Sequence, residues 1–191
     1  MPNSEFPIIG IGGTNASGKD TVAQMLVEKY GWQYVSLSDL LRDELRSRGE
    51  SITRKKLRGL SAQWRKIHGP DVLVDRAAKL FDSGRYKGLV VASLRNWGEA
   101  DAIHQLGGKV VWVDANPKIR YQRIKKRVRD GEHLLTYKEF LADEQEEMEH
   151  FEGDKHTLNL KGVKDRADIF LQNNGSDVKV FKNYAEEVLK L

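Results

Sequence analysis

The sequence contains no cysteine, which excludes a disulfide framework and thiolate chemistry. No apolar run approaches the ~20 residues that a membrane span needs. Residues 1–10 have neither a basic start nor a long apolar stretch. No secretory signal and no membrane partner are therefore expected, and a cytoplasmic setting is. There is no internal repeat and no low-complexity segment. Charge of one sign is scarce too, since 32 Lys and Arg against 28 Asp and Glu leave +4. That excess is too small to argue for a nucleic-acid partner. It suits an anionic small molecule if the basic side chains converge. At 191 residues the chain is long enough for one domain with a sheet covered on both faces.

What is present centres on residues 12–21, Gly-Gly-Thr-Asn-Ala-Ser-Gly-Lys-Asp-Thr. The apolar run Pro7 to Ile11 precedes this stretch and a helical pattern reaching Tyr30 follows it. Strand, glycine-rich loop and helix in that order form a phosphate cradle. Glycines let successive amides converge on phosphate oxygens, and the helix points its positive end at the same place. The spacing Gly13, four residues, Gly18-Lys19 is that of a Walker A loop. Lys19 would reach the β- and γ-phosphates. Asp20 stands where Ser or Thr normally ligates magnesium, with Thr21 behind it.

Further along, residues 32–36 read as a second strand, and Ser38-Asp39 as the cap of a helix reaching about Arg48. Residues 53–68 form a basic helical pattern with Leu57, Leu60, Trp64 and Ile67 inward. After Gly69-Pro70, residues 71–81 predict another helix, with Val72, Leu73, Ala77 and Leu80 inward. Residues 88–92 are continuously apolar, as a strand buried on both faces requires. A helix to Leu106, a strand over 109–113 and a basic helix from Pro117 to Arg129 follow. Residues 136–149 are helical and acidic, 151–156 are a polar connection, 167–171 are the last strand, and Ser176 or Asp177 starts a final helix.

This alternation predicts an α/β doubly wound sheet of about five parallel strands with helices on both faces. Ligands then bind beyond the carboxyl ends of the strands, where the loops 12–20, 36–42, 92–99 and 173–176 converge. Arg42 reads either as a surface residue of a capped helix or as a grip on an acceptor phosphate. Arg95, just past a buried strand, reads either as half of a structural ion pair or as a second grip. Arg123 and Arg127 share one helix face and would cover the transferring phosphates, although a charge run is usually a solvated face. The basic helix 53–68 has the same two readings.

On these residues the chain resembles the nucleoside monophosphate kinases of the P-loop superfamily over nearly its whole length. Residues 38–42, Ser-Asp-Leu-Leu-Arg, resemble the acceptor-binding helix of adenylate kinases. Residues 123–127, Arg-Ile-Lys-Lys-Arg, resemble their lid entry, whose first Arg covers the ATP base and whose second touches phosphate. Residues 173–176 resemble the loop beside the donor base. Leu94 to Ala100 is similar to archaeal adenylate-kinase-like proteins and to phage-type deoxynucleoside monophosphate kinases, which share Gly-Lys-Asp-Thr. Two positions depart from the pattern. Asp20 replaces Ser or Thr, and Ala92-Ser93 stands where relatives carry an Asp that helps hold the metal's water shell.

The resemblance implies the three-layer P-loop fold with a core of 6–36, 88–117 and 165–191, an acceptor-binding insert over 37–87 and a lid over 118–160. It implies ATP and Mg2+ as cofactors and γ-phosphoryl transfer to a nucleoside or deoxynucleoside monophosphate. Donor binding falls to Gly13, Thr14, Asn15, Ala16, Ser17, Gly18, Lys19, Asp20, Thr21, Arg123, Asn174 and Gly175. The acceptor falls to Asp39, Arg42 and Arg95, the metal to Asp20, and catalysis to Lys19, Asp20, Arg123 and Arg127. Dephospho-CoA kinases, which share the strand and Asn-Asn-Gly ending, imply a ribose hydroxyl acceptor with Asp39 as general base. A P-loop ATPase or an RNA-associated factor using helix 53–68 is the reading of another class.

Overall fold

A computed structural model describes residues 7–126 and 135–190. Five parallel strands form one sheet: β1 (Ile8–Gly13), β2 (Gln33–Ser36), β3 (Leu89–Leu94), β4 (Lys109–Asp114) and β5 (Ile169–Gln172), in the spatial order β2-β3-β1-β4-β5. The strand with the most glycine, β1, is central and fully buried. Its neighbours β3 and β4 are apolar on both faces because helices cover both sides. From β1 the chain crosses to β2 on one side, and from β3 it crosses back past β1 to β4 on the other, so a crevice opens at the carboxyl end of β1, where the glycine loop begins.

One face is covered by α1 (Lys19–Tyr30) and α9 (Val178–Leu189), packing Val22, Leu26 and Phe181 onto Ile11, Val90 and Val111. The other face carries α2 (Leu37–Ser47), α3 (Arg54–His68), α4 (Val72–Lys79), α5 (Trp97–Gln105) and α8 (Leu160–Lys164). There Leu41, Leu60, Trp64, Leu73, Ile103 and Val163 surround Val91 and Trp112. Between β4 and α8 run α6 (Pro117–Lys125) and α7 (Tyr137–Met148). Arg127 lies outside the described residues.

Helix starts follow capping chemistry. Thr53, Asn96, Asn116, Thr136, Asn159 and Asp177 each accept a backbone N–H of the first turn. The cap of α2 differs from the expected Ser38-Asp39. Ser36, the last residue of β2, accepts the Asp39 amide, so strand passes into helix without a loop. Two expected core residues point outward: Ile67 is 62% exposed and Leu80 is 54% exposed, because each lies in or beyond the last turn of its helix. In α3 the position facing inward is instead Arg65. The helix α8 has no counterpart in the sequence reading, since five residues with apolar groups only at Leu160 and Val163 are too few to display a period. The last strand starts two residues later and ends one residue later than expected.

Candidate functional site

The loop between β1 and α1 has its shape because glycine occupies the positions that tolerate nothing larger. Gly18 caps α1 with φ +103, and a Cβ there would lie 2.3 Å from Asn173 Nδ2. At Gly13 a Cβ would lie 2.2 Å from the Val113 carbonyl. Ala16 is also left-handed, with φ +59, so the chain reverses hand twice within three residues and its amides turn inward. Lys19 opens the helix and is buried. Within the loop, the Ser17 hydroxyl is buried without a protein partner. A first helical turn, a buried lysine and an orphan hydroxyl are a donor set suited to phosphate oxygens.

The loop is braced from β4. Thr14 Oγ1 donates to Asp114 Oδ1 at 2.8 Å, and the same oxygen accepts the Ala115 amide at 2.8 Å. Arg120 of α6 is buried against this corner and donates to the Ala115 carbonyl at 2.8 Å and to the Asn15 carbonyl at 3.5 Å. Its guanidinium also forks onto both carboxylate oxygens of Glu144 on α7. Neither Asp114 nor Arg120 stood out in the sequence, because nothing local marks one Arg of a basic helix as buried.

Arg123, one turn further along α6, donates to carbonyls of two loops: Ala16 at 3.2 Å, Asn173 at 3.0 Å and Gly175 at 2.9 Å. Asn173 completes the link by donating to the Ser17 carbonyl at 2.8 Å. Beside this junction is a cavity of about 250 Å³ lined by Ala16, Gly18, Thr21, Arg123, Gly175 and Phe181, among others. Asn173, not Asn174, contributes to its wall. Asn174 turns to accept the Asn116 amide at 2.7 Å.

A second cavity, of about 270 Å³, extends from Asn15 of the loop and Ser93 at the end of β3 to the basic side chains Arg42, Arg54, Arg58 and Arg95. Leu37, Leu41, Leu57, Leu73 and Phe140 form its apolar part. Ser93 is a bulge: Ile11 pairs with Ala92 and Gly12 with Leu94, leaving Ser93 unpaired at φ +68. Arg95 is ion-paired with Glu147 of α7 at 2.5 Å, and Arg42 with Asp39 at 2.7 Å. Both arginines are thus ion-paired, and both line the cavity. Asp39 is not part of the wall.

Burial alone would push the Glu147 carboxyl up, but Arg95 and Arg58 outweigh it and hold it below the usual carboxylate range. Asp20 is exposed at the second position of α1. The Tyr34 phenol on β2 is raised by burial, with the charges of Asp20 and Asp39 adding to that against a lowering hydrogen bond with Ser36. Among the described residues no three His, Cys, Asp or Glu side chains cluster to hold a metal by themselves. A magnesium ion held by one carboxylate, substrate phosphates and water fits this donor set, and Asp20 is the residue that would hold it.

Fold and loop together define a P-loop kinase-like protein. The chain belongs to the family described as an AAA domain, which residues 9–152 match, and to the UPF0200 proteins. It is 31% identical over 190 residues to the UPF0200 protein of Sulfurisphaera tokodaii, covering 98% of each chain. Among solved structures, shikimate kinase from Bacteroides thetaiotaomicron superposes with a TM-score of 0.60 at 13% identity, over 96% of this chain and 98% of that one. Shikimate kinase from Acinetobacter baumannii in complex with shikimate gives 0.55 at 14% identity, over 98% and 93%. At these identities the structural likeness concerns the fold.

Proposed function

We propose an ATP- and Mg2+-dependent phosphotransferase that moves the γ-phosphoryl group to a nucleoside or deoxynucleoside monophosphate. The observation that carries this reading is a single cavity whose wall runs from Asn15 of the phosphate loop to Arg42, Arg54, Arg58 and Arg95. An anionic acceptor in it faces the end of a loop-held triphosphate. Lys19 and the loop amides hold the donor phosphates, and Arg123 and Gly175 border the donor base. Arg42 and Arg95 hold the acceptor phosphate, the lid is 118–160, and Arg127, outside the described residues, is the further catalytic cation that the resemblance implies. The core is 6–36, 88–117 and 165–191, and the acceptor-binding insert is 37–87.

An acceptor phosphate oxygen attacks the γ-phosphorus in line, the bond to the β–γ bridging oxygen breaks, and ADP leaves. The protein's share is positioning and charge neutralisation. A bound magnesium ion would supply further neutralisation of the β- and γ-phosphates. An ionised acceptor phosphate needs no base, whereas the ribose hydroxyl of dephospho-CoA does. Asp39, the candidate base, is paired with Arg42 and stands outside the cavity wall. That favours the monophosphate acceptor.

The test is ADP release measured against a panel of nucleoside and deoxynucleoside monophosphates plus dephospho-CoA. Release stimulated by a monophosphate supports the proposal. Equal release without acceptor identifies an ATPase and overturns it. Steeply salt-dependent RNA affinity without phosphoryl transfer would point instead to the RNA-associated reading.

A further inference from the structure

Each arginine in the wall of the acceptor cavity has a carboxylate partner. Three of them, Arg54, Arg58 and Arg95, are matched by α7. That helix packs its backbone against α6 and α8 and reaches α3 by side chains: Arg54 to Asp143 at 2.6 Å, and Arg58 to Glu146 at 3.3 Å and to Glu147 at 3.0 Å. Glu147 bridges α3 and the loop after β3, since it also takes Arg95 at 2.5 Å. Its side chain is 17% exposed, against 63% for Glu146. A carboxylate between two guanidinium forks occupies the place that a phosphate dianion would take.

We propose that Glu147 sets the charge threshold for the acceptor: it competes with the acceptor for Arg58 and Arg95, so only a phosphomonoester dianion displaces it at ordinary concentrations. This inference rests on the reading of a phosphorylated acceptor. A phosphomonoester brings a charge of about −1.5 to −2 and three strong acceptor oxygens. A carboxylate acceptor would merely exchange one carboxylate for another, and a hydroxyl acceptor offers less. Sugars and carboxylate metabolites are excluded on this ground, and the entry of a phosphate breaks the Glu147 link between α7 and α3 while Arg54–Asp143 stays in place. Burial would by itself weaken the Glu147 charge, and the two arginines restore it, so the competitor is ionised at neutral pH.

The experiment is a calorimetric titration of inorganic phosphate, and separately of acetate, into protein whose donor site is filled with a non-hydrolysable ATP analogue and magnesium. Parent, Glu147→Gln and Glu146→Gln are compared. Glu147→Gln should bind phosphate about 10-fold tighter or better, the size of one charge-assisted contact, and acetate should tighten by the same factor. Glu146→Gln should stay within about twofold of the parent, as an exposed charge does. Unchanged or weaker phosphate binding in Glu147→Gln, the outcome for a purely structural glutamate, overturns the inference. So does an equal gain in Glu146→Gln. Failure of the ATP analogue to bind overturns the kinase reading instead. The same phosphate titration in a Lys19→Ala background, where the loop has lost its cation, then decides on Glu147 independently.

Discussion

Arg65 of α3 and Glu99 of α5 form an ion pair 2.7 Å long in which each side chain is 1% exposed. Glu99 uses its other oxygen to accept the amides of Arg95 and Asn96, at 2.6 and 3.1 Å. Arg65 also donates to the His156 carbonyl at 2.9 Å. One buried pair thus ties α3, the start of α5 and the chain after α7 together in the wall of the cavity of about 270 Å³. Removing either partner strands a charge without water, at a cost of about 3–5 kcal/mol. Arg65→Ala and Glu99→Ala should each lower the unfolding free energy, measured by urea denaturation, by that much. The double variant should cost less than the sum of the two. Additivity within ~0.5 kcal/mol would mean that the pair is not coupled.

Arg95→Ala and Arg42→Ala should raise the acceptor KM or lower kcat while ATP affinity stays nearly intact. Each lost phosphate contact is worth about 1.5–3 kcal/mol, roughly 10–150-fold. Arg95, about a quarter exposed and aimed into the cavity, should give the larger effect. Steady-state kinetics with both substrates varied check this. If the two variants lose only ATP binding, the acceptor assignment is wrong.

Asp20 is a carboxylate beside the expected triphosphate. Like charges at ~4 Å repel by about 4 kcal/mol at an effective dielectric of 20, and the helix N-terminus returns only ~0.3–1 kcal/mol. Magnesium between them reverses the sign. Asp20→Ala should therefore bind metal-free ATP at least as well as the parent and lose magnesium-dependent turnover. The wall residue Ser93, at a position where the resemblance to monophosphate kinases leads one to expect an acid, offers no second carboxylate to substitute. A magnesium titration of ATP affinity and turnover separates this from an Asp that only caps the helix, whose loss costs ~1 kcal/mol of stability.

The Glu147 carboxyl is held below its ordinary value of 4.5 in the folded protein. Its contribution to stability is therefore fully present above about pH 4.5 and fades as the pH falls through the lower folded value. The urea midpoints of the parent and Glu147→Gln should differ by a constant amount from pH 5 to 8, on the order of the plateau expected above both values. They should converge in acid. A difference that grows toward low pH would contradict the Arg58 and Arg95 pairing.

Ten consecutive residues, 12–21, were enough to place the phosphate loop, because the conformation is local. Gly18 must be left-handed and Gly13 must clear a carbonyl wherever the loop occurs. The five strands and most helix starts were legible for the same reason: burial on both faces leaves an apolar run, and Asn, Thr and Asp caps act within three residues. The position of α2's cap was misread because Ser36, Ser38 and Asp39 are all competent caps. Only the way β2 ends chooses among them.

The tertiary structure decided which charges meet. Arg95 and Glu147 are 52 residues apart, and Arg54 and Asp143 are 89 apart. Sequence periodicity reports which face of a helix is apolar, not what lies opposite. It therefore left the basic α3 open between a phosphate contact and a solvated face and gave the acidic α7 no partner, when Arg54 and Arg58 of α3 pair with Asp143, Glu146 and Glu147 of α7. Arg65 and Arg120 were hidden for the same reason, since a buried arginine reads like any other until its acid and its carbonyls are brought to it. Ser93 was noticed in the sequence only for the acid it replaces; its bulge became visible in the register of β3 against β1, where one residue of the strand is left unpaired. Hydrogen-bond geometry within a few residues is written into the chain itself. The pairing of charges across the cavity depends on where whole helices come to rest on the sheet.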